Sequence, residues 1–66
     1  MEEKEYKELK AKFLGVFANV PYPLRKEIIV VIGEDTFNWS TAKAEIARDT
    51  EKAPIILENL KKIGVL

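Results

Sequence analysis

The chain has 66 residues, 47% hydrophobic and 33% charged, with 11 Lys and Arg offsetting 11 Asp and Glu, and it contains neither Cys nor His. That size allows one domain burying only about 60% of the surface its unfolded chain exposes, with no disulfide, thiolate or imidazole-held metal to reinforce it. The composition excludes intrinsic disorder, no apolar run approaches the roughly 20 residues of a membrane-spanning helix, and zero net charge removes any global attraction to phosphate backbones or acidic membranes.

The first segment reads as a helix over about residues 2–18. Tyr6, Leu9, Phe13, Val16 and Val20 recur at three- and four-residue steps, the seam of a helix packed on another. Glu3 with Lys7 and Glu8 with Lys12 stand four apart, in the favourable order, on a solvated face. Leu14 and Phe17 fall beside this seam and add more apolar surface than one small core is expected to cover. Gly15 costs about 1 kcal/mol relative to alanine in a helix interior, which predicts a bend or the close passage of another backbone. Pro21 and Pro23 then forbid continuation.

Residues 23–32 admit two readings. Ile28-Ile29-Val30-Val31-Ile32 is a β-branched run that suits a buried strand, whereas Pro23 at the start, Arg25, Lys26 and Glu27 in the first turn and Gly33 at the end are helix punctuation. The punctuation favours a helix with Leu24, Ile28 and Val31 or Ile32 toward the core, leaving Ile29 and Val30 in need of another cover. Glu34 to Asn38 reads as a turn. Asn38 or Ser40 caps a helix over about residues 39–48 whose inner stripe is Trp39, Ala42 and Ile46. Asp49 or Thr50 caps a last helix over about residues 51–63. There Ala53, Leu57 and Leu60 share a face, Lys61 and Lys62 meet the negative end of the dipole, and Gly64 suits the left-handed cap. The expected fold is therefore all-α: a small four-helix domain with a helix-turn-helix-like, tri-helical C-terminal part.

From Pro23 onward, the pattern Leu24-Arg25-x-x-Ile28-Ile29-x-x-Ile32, Phe37-x-Trp39, Ala42-x-x-Glu45-Ile46-Ala47 and Leu57-x-x-Leu60-x-x-x-Gly64-x-Leu66 resembles the three-helix part of winged-helix DNA-binding domains. The likeness covers about two-thirds of the chain and includes no β-hairpin wing. It implies a last helix lying in the major groove, with Glu51, Lys52, Ile55, Ile56, Glu58 and Asn59 in the stretch that supplies base contacts. Two acids and two isoleucines stand there, where Arg, Lys, Asn or Gln would meet phosphates and bases. On this reading Lys43, Arg48, Lys52, Asn59 and Lys62 are the DNA contacts, and the chain binds as a dimer.

Catalysis has little to work with. General acid–base and nucleophilic chemistry would fall to carboxylates, lysines, tyrosines and Ser40, the only serine, whose expected role is capping. Glu34-Asp35 lacks the spaced oxygen ligands of a calcium loop, and there is no Gly-rich phosphate loop. Tyr22, Phe37 and Trp39 are expected to fill junctions between helices; as a base-stacking platform they would sit beside the wrong charge, Glu34 and Asp35. No catalytic residue, cofactor, metal or small-molecule substrate is expected. The absence of Gln, with Glu and Lys leading the charged set, matches proteins of thermophiles, and a start without an apolar signal centre points to the cytoplasm. The expected function is a non-enzymatic protein-interaction or self-associating module, a homodimer formed through Phe13, Leu14, Phe17, Ile29, Val30, Ile55 and Ile56. A dimeric DNA-binding helix-turn-helix protein is the alternative.

Overall fold

The computed structural model describes all residues, Met1–Leu66. Helix α1 (Glu3–Ala18) leads through a 3-10 turn (Tyr22–Lys26) into an antiparallel hairpin of β1 (Ile28–Ile32) and β2 (Asp35–Asn38), which runs directly into α2 (Trp39–Ala47) and then α3 (Lys52–Lys62). No helix is long and apolar enough to cross a membrane.

This architecture overturns the all-α, four-helix expectation. Residues 28–32 are a strand, and the stretch after Gly33 supplies its partner: Val30 faces Phe37, Val31 faces Thr36 and Ile32 faces Asp35. Gly33 makes the pairing possible. Its φ of 62°, followed by Glu34 in the ordinary negative range, is the mirror-image two-residue turn whose twist matches that of the flanking strands. The β-branched run then sits on a pleated surface that suits stiff χ1 angles, and Val30 and Phe37 enter the core together. The Pro23 to Lys26 punctuation is spent on the 3-10 turn. Residues 23–66 accordingly hold two α-helices and a hairpin in place of three helices.

One core joins all the elements. It takes Leu9, Phe13 and Phe17 from α1, Val30 and Phe37 from the hairpin, Ala42 and Ile46 from α2, and Ala53, Ile56, Leu57 and Leu60 from α3. No polar or charged side chain is buried with them. The α1 stripe advances in four-residue steps, so Phe17 continues from Phe13 while Val16 turns outward. Phe13 is the junction: its ring lies 6.2 Å from Phe17 and 5.8 Å from Trp39.

The ends of α2 and α3 explain their lengths. Asn38 and Thr41 cap the start of α2 reciprocally, each side chain bonding the other's backbone N–H, at 2.7 and 2.9 Å. Both helices close with the same pair of backbone bonds: Asp49 and Thr50 donate to Ile46 and Glu45, and Gly64 and Val65 donate to Lys61 and Leu60. The motif needs a left-handed residue. Gly64 supplies it at φ 84°, and Asp49 at φ 53°.

α1 runs unbroken through Gly15, and no neighbour passes close to it, since a Cβ built there meets nothing within 4 Å. Gly15→Ala should therefore stabilise the fold by about 0.5–1 kcal/mol, seen as a higher urea midpoint at unchanged slope. A lower midpoint would contradict this assignment. Phe13→Ala, by contrast, should cost about 3–5 kcal/mol, most of the stability available to a domain of this size.

Candidate functional site

Polar side chains converge on Asp49, at the turn between α2 and α3. Its Oδ1 accepts from the Tyr6 hydroxyl at 2.5 Å and from the Lys10 ammonium at 2.8 Å, both on α1. The Thr50 hydroxyl donates to the Glu45 carboxylate. Neither Asp49 nor Thr50 therefore caps α3 with its side chain, contrary to the expectation from sequence. Burial first, then the bond to Asp49 and its charge, push the Tyr6 hydroxyl up to about 12. The bonds from Lys10 and Tyr6 hold the Asp49 carboxyl below the usual carboxylate range. A shallow depression of about 330 Å³ lies here, lined by Met1, Glu3, Tyr6, Asp49, Thr50 and Pro54. The cluster is a tie between α1 and the turn. No group of three Asp or Glu converges to hold a metal ion. Ser40 lies exposed in the first turn of α2, where Asn38 does the capping.

The apolar residues expected at an interface are mostly placed elsewhere. Phe13, Phe17, Val30 and Ile56 belong to the core, and Leu14 and Ile29 pack partly against it. Only Ile55 stays outside, on α3. The reason is capacity: the hairpin adds an inner sheet face that a four-helix reading lacks, and that face covers what the helices leave open. The folded chain exposes 4495 Å², somewhat more than the roughly 4200 Å² that size scaling gives a free-standing monomer of this mass. Exposed apolar side chains gather in two stretches: Ile55, Ile63 and Val65 on and after α3, and a second stretch that sequence reasoning did not assign to an interface. Tyr22, Leu24, Ile28 and Val31 all face out, from the 3-10 turn and β1.

Four of the five residues expected to contact DNA have a partner within the chain. Lys43 stands 5.4 Å from the centre of the Phe17 ring, which it shares with Arg25 at 4.4 Å. Lys52 pairs with Asp35 at 3.7 Å, and Lys62 with Glu58 at 3.7 Å. Asn59 turns its amide back to the Ile55 carbonyl of its own helix at 2.8 Å. Arg48, the last residue before the left-handed Asp49, makes no ion pair. Lys52 and Lys62 begin and end α3, about 15 Å apart along its axis.

Comparison with protein-family models, with curated proteins and with solved structures finds no match.

The Tyr6–Asp49–Lys10 tie makes stability depend on pH at both extremes. Tyr6 ionises at 10.0 unfolded and about 12 folded, so its contribution is whole below pH 10 and fades between pH 10 and 12. Asp49 ionises below 3.8 when folded, so its contribution is whole above that value and fades as the pH falls further. Melting curves across this range should show Tyr6→Phe lacking much of the alkaline decline and Asp49→Asn much of the acid one. Slopes identical to the parent protein would show that the tie contributes nothing.

Proposed function

We propose that this chain is a non-enzymatic protein-interaction module that associates with a second copy of itself, through the apolar strip made by β1 and the 3-10 turn before it. The supporting observation is the concentration of exposed apolar side chains in one segment: Tyr22 at 75%, Leu24 at 43%, Ile28 at 55% and Val31 at 59% exposure. Between Glu27 and Glu34 no residue carries a charge. Contiguous apolar surface rimmed by charge marks contact with another protein. A second copy suits it because β1 is uncharged and the chain carries no net charge, so two copies meet without overall repulsion. Closed two-fold pairing is also the commonest form of self-association.

Size sets the strength. A standard interface covers about 800 Å² per partner, close to a fifth of this chain's 4495 Å². The strip covers less, so the association belongs to the weak, micromolar-or-weaker class.

Sedimentation across a thousand-fold range of concentration should show monomer converting to dimer. Ile28→Glu should remain monomeric at every concentration while melting, when dilute, at the parent temperature. A parent protein that stays monomeric at the highest concentration would defeat the proposal. Random duplex DNA, titrated at low and high salt, should not bind; tight association that weakens steeply with salt would replace this reading with DNA binding.

A further inference from the structure

The outer backbone edge of β1 gives this association a specific geometry. The sheet has only two strands, so β1 pairs with β2 along one edge and meets no strand along the other. No loop backbone and no side chain donates to or accepts from residues 28–32. A two-residue turn makes Ile32 and Asp35 a hydrogen-bonded pair, and alternation makes Val30 and Phe37 the next one. Val31, between them, therefore turns its N–H and C=O away from β2.

Natural sheets blunt such edges with lysine, proline or inward charges, and β1 has none of these. The bulge at Ile29 leaves Val30 to Ile32 as the regular stretch, centred on Val31. We infer that two copies pair their β1 edges antiparallel across a two-fold axis at Val31, joining two hairpins into one four-stranded sheet. This rests on the self-association proposed above.

The edge itself selects a second copy in this orientation. It is self-complementary under a two-fold axis, because Val31 of each chain offers the other one donor and one acceptor. Residues 28–33 carry no charge, so two such edges approach without charged side chains between them.

The test separates backbone pairing from simple apolar contact. Val31→Pro keeps an apolar side chain but removes the outward N–H, at an edge position that proline tolerates. It should weaken dimerisation at least tenfold and leave the hairpin folded. In a second arm, cysteines are placed singly in a chain that has no other. Val31→Cys should oxidise to a covalent dimer, since directly opposed residues of a hydrogen-bonded pair stand about 5.5 Å apart, within disulfide reach. Thr36→Cys, exposed on β2 and opposite Val31 within one hairpin, should not.

If Val31→Pro dimerises like the parent while Ile28→Glu does not, edge pairing is wrong and apolar self-association stands. Equal cross-linking at positions 31 and 36 would likewise overturn the edge geometry. A monomeric parent overturns both. Should Val31→Pro fail to fold, the two cysteine variants decide alone.

Discussion

Everything in this fold follows from the register in which β1 meets β2, and Gly33 sets that register. With its left-handed backbone closing a two-residue turn, Val30 and Phe37 face inward and Val31 and Thr36 face out. A slip of one residue would reverse every face, exposing Phe37 and burying Thr36. The inner face is what α3 packs against, and Lys52 of α3 reaches over the Phe37 ring at 5.8 Å to bond Asp35 at the strand's start. The same register that completes the core leaves an uncharged strand edge in solvent. Stability and the proposed self-association thus have one origin.

Asp49 shows the opposite balance, a residue retained against its local preference. The left-handed position that ends α2 suits glycine, as at Gly64, and a side chain there costs roughly 1–2 kcal/mol. Aspartate is among the residues that tolerate it best. What offsets the remaining cost is tertiary: its carboxylate receives Tyr6 and Lys10, 43 and 39 positions away in sequence, and so fixes α1 against the α2–α3 pair. In a chain with no cysteine for a disulfide, a tie of this kind supplements a small core.

The helices were legible because their signals are local. Ala53, Leu57 and Leu60 at three- and four-residue spacing, with Gly64 beyond them, describe most of the buried face of α3, and of the two caps open for α2, Asn38 and Ser40, the fold uses Asn38. The hairpin was hidden because its own irregularity imitates a helix. The bulge at Ile29 breaks the two-residue alternation, so Ile28 and Val31 point the same way three residues apart. A signal was nevertheless present: Gly33-Glu34 between a β-branched run and Thr36-Phe37 is a short hairpin loop. Without the strand there is no inner sheet face to complete the core, and side chains that the fold buries, such as Phe17 and Ile56, read as surplus. The polar tie was beyond reach for another reason, since no spacing rule links Tyr6 to Asp49.

The outward surface therefore carries the function proposed for this chain, and its character is set by where the backbone of β1 points. Amide hydrogen exchange across residues 28–38 in dilute solution reads that directly. The account predicts slow exchange at Val30, Asp35 and Phe37 and fast exchange at Val31 and Thr36, with Val31 alone becoming protected as the protein is concentrated. Uniform, helix-like protection through residues 28–32, or a protected Val31 beside an unprotected Val30 in the dilute chain, would contradict it.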